Sequence, residues 1–296
     1  MKPSMLRKIR SLTILALIST AFILTLLPVL SLIGTVVYNG MSVVFKNFPG
    51  IFFNIPAAPG SSEVGGIGPH LLGTMLLVAL AMAIGTPISI LAAVFTAEAT
   101  RSWERNLGRL TRLLTHMMIE FPTIVVGLAV YGLMTTLAPY IRALIPGFRP
   151  FSLLSGVIAL IMVSAPYMYA QVEDGLKSIP QHIREAVYSL GAGRVLTSYV
   201  LLRYLKSTVY AALSISLARM ISETAALFFT AFGSNVYPPL DSNLLFRPVG
   251  SLTLAVYTLG LSGYENWVEL SWAASFILLI LCLALFALSK VVIRGE

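Results

Sequence analysis

Long apolar stretches almost free of charge recur along the chain and predict six membrane-spanning helices. A helix needs about 20 predominantly apolar residues to cross the hydrocarbon core. Residues 11–38, 71–97, 150–172 and 270–289 contain no Asp, Glu, Lys or Arg. Residues 113–140 carry His116 and Glu120 in an otherwise apolar run, and residues 207–232 carry Arg219 and Glu223. The first run follows Lys2, Arg7, Lys8 and Arg10, as the apolar core of a signal peptide follows its basic segment. It is far longer than the 7–15 residues of such a core, so it reads as an uncleaved helix. Pro87, Pro122 and Pro166 fall inside spans and read as kinks.

The connections divide the chain further. Residues 1–10 form a cytoplasmic N-terminus, 11–38 the first helix and 39–69 an external loop whose prolines and glycines forbid a long helix. Residues 70–296 form the core domain, with a cytoplasmic loop at 173–206 and an external segment at 233–269. Within that segment, residues 252–261 are apolar but too short to span, and predict an external, interfacial or partly re-entrant helix.

Composition agrees with the pattern. The 296 residues are 57% hydrophobic and 11% charged, against roughly 45–50% and about 25% in soluble domains. That balance argues against a soluble enzyme, a disordered chain or a nucleic-acid module. The net charge of +8 is a matter of placement: 15 Lys/Arg fall in the segments on the N-terminal side of the membrane and four on the other. By the positive-inside rule both termini are cytoplasmic and the chain is a multi-pass protein of the cell membrane. Arg142 and Arg149 sit in one short loop on the side where cations are scarce. The single cysteine, Cys282, lies in an apolar run where it packs, and no internal disulfide is available.

The cytoplasmic loop has the pattern of a docking element. Leu176, Ile179, Ile183, Ala186, Val187 and Leu190 predict one apolar stripe on a short helix, with Arg184 and Glu185 outside it. Gly191 and Gly193 stop the helix, and Pro180 suits a helical start. An amphipathic helix on the bilayer surface and a helix presented to a cytoplasmic partner both satisfy the stripe.

The run from Arg184 to Tyr204, REAVYSLGAGRVLTSYVLLRY, resembles the EAA loop of binding-protein-dependent ABC importer permeases. Glu185, Ala186 and Gly191 fit its spacing; Val187 replaces the second Ala, and Leu201, Arg203 and Tyr204 depart from the closing I-x-L-P. The stretches GGIGPHLLGTMLLVALAMAIGTPISILAAVFTAEA, FPTIVVGLAVYG and ISETAALFFTAF are similar to the PstA-type permease of the phosphate importer. In the last, Ser222 stands for the usual Gly and Ala226 for the usual Pro, while Glu223, Thr224 and Ala225 are kept. Glu120 stands where that pattern is small and uncharged.

The resemblance implies an all-α polytopic membrane protein with the ABC importer permease (type I) fold. It also implies a loop that fits a groove on an ATPase subunit and transmits its closure to the membrane helices. The implied partners are a second homologous permease (PstC-like), an ATPase dimer (PstB-like) and an external phosphate-binding protein (PstS-like). ATP belongs to the partner: this chain has no G-x-x-x-x-G-K-[ST] loop and is not itself expected to be an enzyme.

Candidate chemistry concentrates in the fifth span. An Arg or Glu near mid-bilayer costs about 2.5–3.5 kcal/mol on insertion scales, so such residues face a bundle interior or an aqueous path. Arg219 and Glu223 stand four residues apart, and two readings follow. In one they pair with each other and fix the helix. In the other Arg219 lines the translocation path and compensates a phosphate oxyanion, Glu223 moderates the attraction, and one of Ser222 and Thr224 shares the cavity. His116 and Glu120 also stand four apart, but His70 and His182 are badly placed to complete a metal site, and none is expected. The alternatives left open are a permease for molybdate or sulfate, the PstC-type sister subunit and, more distantly, an intramembrane metal enzyme or a secondary transporter.

Overall fold

The computed structural model describes residues 3–239 and 241–294; Lys2 and the last two residues of the expected cytoplasmic termini lie outside them. Among the described residues the chain is helical, with only two isolated bridges of extended backbone. The helices are α1 (Pro3–Lys46), α2 (Gly50–Phe53), α3 (Gly68–Ala97), α4 (Ser102–Glu120), α5 (Thr123–Leu144), α6 (Leu153–Ser178), α7 (Gln181–Ser189), α8 (Arg194–Tyr204), α9 (Lys206–Ser222), α10 (Ala225–Thr230), α11 (Leu252–Gly260) and α12 (Glu265–Arg294). A single 3-10 turn, Leu244–Phe246, precedes α11.

Among the described residues, five helices are long and apolar enough to cross a membrane: α1, α3, α5, α6 and α12. The expected fifth span, 207–232, is instead two helices, α9 and α10, separated at Glu223 and Thr224. The expected third span, 113–140, is likewise broken at Phe121–Pro122. Proline has no N–H to continue a helix and pushes the residue before it out of the helical region; Phe121 and Pro122 are extended, with ψ of 134° and 127°. Pro122 is therefore a helix boundary, whereas Pro87 and Pro166 lie inside α3 and α6. The residues before it, Ser102–Glu120, form the separate amphipathic helix α4. At the N-terminal end, α1 continues past residue 38 to Lys46.

α6 is the axis of the packing: α3, α4, α5, α9 and α10 all contact it. Leu77, Val78, Leu160, Met220 and Leu227 form the central core between α3, α6, α9 and α10. Val126, Val130, Ala159, Val163 and Ala226 close α5 onto α6 and α10. Gly127 is required there, since a β-carbon on it would stand 2.6 Å from the Cα of Ala226. α1 contacts α12 through its C-terminal third, where Val43 and Val44 join Ile51, Leu270 and Ala274; residues 7–35 of α1 are exposed along their whole length.

The first half of α11 is buried against the bundle, while Tyr257 and Thr258 are exposed. Its N-cap, Ser251, accepts from the N–H of Leu254, and Leu252, Leu254 and Ala255 are 0–1% exposed. The N–H of Leu252 donates to the Thr74 hydroxyl of α3, and the Thr253 hydroxyl reaches the carbonyl of Glu223. α11 thus supports the α9–α10 break from the side.

Candidate functional site

The last turn of α9 and the break before α10 contain all four residues expected on the path, and the structure gives each a different position. Glu223 has left the helical region, with ψ of 127°. Its carbonyl, freed from the helix, accepts from Thr253 at 2.7 Å, and its carboxylate accepts from the N–H of Ala226 at 3.1 Å. The side chain thereby caps α10 and is 6% exposed. Ala226 stands where the resembled pattern has proline, and its N–H is the group proline would lack.

Arg219 occupies the last turn of α9. No ion pair joins it to Glu223 among the described residues; its guanidinium lies over the ring of Tyr167 on α6, 4.4 Å from the centre. The Tyr167 hydroxyl donates to the carbonyl of Ile119, at the end of α4. Nε of Arg219 is buried without a hydrogen-bond partner. A cation over an aromatic face is held by its charge while its N–H groups stay available at the edge.

Ser222 is exposed and its hydroxyl is engaged by the carbonyls of Ala218 and Arg219. Thr224 lines two neighbouring cavities. One, of about 290 Å³, is shared with Ile124, Phe228 and Tyr257; the other, of about 510 Å³, opens toward Ser271 and Ser275 of α12. The structure therefore brings Thr224 to open space, Glu223 to a cap and Arg219 to the α6 face.

The expected coupling stripe is not one helix. Pro180 ends α6 and starts α7, so Leu176 belongs to α6 and is fully buried, and Ile179 is the buried junction. Both join Met168, Val172, Leu201 and Ala212 in one core. Ile183 is half-buried, whereas Glu185 and Ala186 are exposed. Leu190 is 87% exposed at the end of α7, and Gly191 follows with φ of +78°, the left-handed conformation that closes a helix. Tyr188, Leu190, Val195 and Leu196 form an exposed apolar rim beside Glu185.

Two arginines tie this rim to the rest of the molecule, and no local pattern in the sequence announces their partners. Arg184 of α7 pairs with the buried Glu98 at the end of α3 and donates to the carbonyl of Leu176. Arg194 at the start of α8 pairs with Glu104 of α4 at 2.9 Å and donates to the Glu98 carbonyl at 2.6 Å. Glu104 also accepts from the N–H groups of Thr100 and Arg101. Arg194 and the Arg101 N–H outweigh the burial that opposes them and lower the Glu104 carboxyl to about 2. On the next turn of the bundle, Arg112 of α4 and Lys177 both hold Glu173 of α6. His116 and Glu120, in contrast, are exposed on α4 and border a shallow hollow with Leu113 and Met117.

A family model described as "binding-protein-dependent transport system inner membrane component" matches residues 85–295. The chain belongs to that family. A protein of Methanocaldococcus jannaschii named "probable phosphate transport system permease protein PstA" is 31% identical over 100% of this chain and 98% of its own length. A Yersinia pestis protein named "phosphate transport system permease protein PstA" is 30% identical over 85% of this chain and 81% of its own. The PstA-type resemblance carried by ISETAALFFTAF thus extends to the chain as a whole. Among solved structures, a bacterial alginate ABC transporter chain superposes with a TM-score of 0.67 at 16% identity, covering 95% of this chain and 93% of that one. A chain of the MetNI methionine ABC transporter in an inward-facing conformation gives 0.54 at 19% identity over 78% and 94%. These establish the fold as that of an ABC importer permease of type I, in a multi-pass membrane protein whose relatives are named as transport components and not as enzymes.

Proposed function

We propose that this chain is the PstA-type permease subunit of an ATP-driven importer of inorganic phosphate. It forms half of the path, with a PstC-like second permease as the other half, a PstB-like ATPase dimer below and a PstS-like phosphate-binding protein outside. The observation that carries the substrate is the match, over the full chain, to relatives named for phosphate. The geometry adds a cation at a helix break: a guanidinium held by a ring, with a buried N–H left over for an oxyanion.

In this reading both termini and α7 face the cytoplasm, in accord with the 15-to-4 distribution of Lys and Arg. α9 and α10 together make the fifth of six crossings. Thr224, beside two cavities, belongs to the path with Arg219, while Glu223 holds the break open by capping α10 and Ser222 lies at its edge. The exposed rim of Glu185, Ala186 and Leu190, with Gly191 behind it, meets the ATPase. Leu176, Ile179 and Ile183 anchor α7 to the core, and Arg184 and Arg194 carry its displacement to α3 and α4. Inward movement of an anion opposes the membrane potential by about 2.3 kcal/mol per charge per 100 mV, which requires a coupled energy source.

The test is uptake of labelled phosphate into vesicles containing the complex reconstituted with its partners. Uptake that needs ATP on the ATPase side and resists a tenfold excess of sulfate or molybdate supports the reading. Uptake independent of ATP points to a secondary transporter, and displacement of phosphate by molybdate or sulfate points to another oxyanion permease.

A further inference from the structure

The two cavities beside Thr224, of about 290 and 510 Å³, have two residues in common, Thr224 and Tyr257. Thr224 comes from the break after α9 and Tyr257 from the middle of α11. The larger cavity follows α11 from Thr253 to Gly260, about 10 Å along the helix axis, and α12 walls it with Ser271 and Ser275. The smaller cavity continues from the same pair against Ile124 of α5 and Phe228 of α10. Thr224 and Tyr257 are therefore the junction between the two.

Three other hydroxyls line the larger cavity, and each donates to a backbone carbonyl: Thr253 to Glu223 at 2.7 Å, Ser271 to Val268 at 3.0 Å and Ser275 to Ser271 at 2.8 Å. The hydroxyls of Thr224 and Tyr257 have no hydrogen-bond partner among the described residues. A hydroxyl turned to hydrocarbon without a partner is costly. Two of them at one junction mark a side that meets water or a polar passenger. The Tyr257 ring is oriented by its neighbour: Phe228 meets it in a T-shaped contact, with centroids 5.9 Å apart and planes at 85°. The side chain is 50% exposed, so the ring is held while the hydroxyl stays accessible.

We propose that Tyr257 is a substrate-contacting residue of the path: its hydroxyl and that of Thr224 donate together to the oxygens of a phosphate anion as it passes from one cavity to the other. The proposal deepens the phosphate reading and rests on it; delivery to the path belongs to the external binding protein. A hydroxyl both donates and accepts, so the pair serves the bare oxygens of phosphate and its P–OH groups alike. It adds no fixed charge. Arg219, in the last turn of α9, supplies the charge that draws the anion in, and two neutral donors hold it weakly enough to release it. At about 30 Å³ for each water, even the smaller cavity has room for the anion with part of its hydration shell.

The test uses the complex reconstituted in vesicles with its partners. Tyr257→Phe keeps the ring against Phe228 and removes only the hydroxyl. Phosphate carried per ATP hydrolysed should fall about fivefold, the contribution of one hydrogen bond, with melting of the complex at the parent value. Thr224→Val should lower the same ratio, and Thr224→Ser, which restores a hydroxyl, should recover most of the loss. In a Cys282→Ser background, Tyr257→Cys or Leu24→Cys is the chain's single thiol. A negatively charged, membrane-impermeant methanethiosulfonate should modify Tyr257→Cys and leave Leu24→Cys, in the exposed apolar stretch of α1, unmodified, since a thiol in apolar surroundings forms little thiolate. A parent ratio in Tyr257→Phe, a fall in the ratio matched by lower melting, or a Tyr257→Cys thiol as inert as Leu24→Cys would each overturn the proposal. A parent complex that moves no phosphate sinks the importer reading and this contact with it. A transporting parent with Tyr257→Phe unaffected sinks the contact alone.

Discussion

The guanidinium of Arg219 rests 4.4 Å from the centre of the Tyr167 ring, on a neighbouring helix, and makes no ion pair with Glu223 four residues further on. The charge is therefore held without being neutralised. Cation–π contacts contribute about 0.5–2 kcal/mol, more where water is excluded. Tyr167→Leu should lower ATP-driven phosphate uptake several-fold, while Tyr167→Phe, which keeps the ring and loses only the hydroxyl contact to Ile119, should stay within about twofold of the parent. Arg219→Ala should abolish uptake with the complex still assembled. Normal uptake by Arg219→Ala would remove the residue from the path.

Glu223 caps α10 through the N–H of Ala226, so its loss should be felt first as structure. Glu223→Gln keeps a side-chain oxygen in place and should preserve stability. Glu223→Ala leaves that N–H unsatisfied at about 1–2 kcal/mol. Thermal melting of the purified complex distinguishes the two; equal melting of both variants would mean that the cap contributes nothing and that the carboxylate charge is what matters.

At the α7 end, Glu104 gives a dependence on pH whose sign is fixed. Arg194 and the backbone N–H groups lower its carboxyl to about 2, below the ordinary 4.5. The stabilisation from ionised Glu104 is complete above about pH 4.5 and disappears as pH falls toward 2. Glu104→Gln should melt lower than the parent at pH 7, and the difference should narrow on acidification below pH 4.5. A constant gap from pH 7 to pH 3 would show that Glu104 acts by shape and not by charge.

The spans α3, α6 and α12 are legible because each contains a long, uninterrupted run without charge, which is the signal a bilayer imposes. The two breaks are hidden by the same signal. Apolar residues continue on both sides of Pro122 and of Glu223, so a run of hydrophobicity persists where the backbone does not. Glu223 reads as an intramembrane charge because nothing nearby announces the break: its freed carbonyl is taken up by Thr253, which arrives 30 residues later. Periodicity carries the coupling stripe through Pro180, although the missing N–H there ends one helix and starts another. Arg184 and Glu98 are 86 residues apart, and one sequence has no pattern that pairs them. The chemistry-bearing residues of the break are found; their roles depend on contacts made by other helices.

Arg184 and Glu98 make the strongest test of how α7 communicates. Both are mostly buried, with side chains 13% and 7% exposed, and removing one partner of a buried pair costs about 3–5 kcal/mol by stranding the other charge. Arg184→Ala should release α7 from α3, leaving ATP hydrolysis by the reconstituted complex while phosphate uptake falls more than tenfold. Glu98→Gln with Arg184→Gln, which strands no charge, should recover assembly but not coupling. If the double variant transports normally, the pair holds the fold and transmits nothing.

α5 offers a contrast between two glycines in one helix. In a helix interior Ala is preferred to Gly by about 1 kcal/mol. A β-carbon at Gly132 meets nothing within 4 Å, so Gly132→Ala should leave melting of the complex unchanged or raise it. A β-carbon at Gly127 would lie 2.6 Å from the Cα and 2.7 Å from the carbonyl oxygen of Ala226. Those are backbone atoms of the capped helix α10 and cannot rotate away, so overpacking of about 1–3 kcal/mol exceeds the propensity gain. Gly127→Ala should lower melting and shift α10 with its Glu223 cap, reducing uptake together with stability. Should Gly127→Ala melt at or above the parent, α5 and α10 do not pack this closely in the assembled transporter, and the break at Glu223 is wider than the isolated subunit shows.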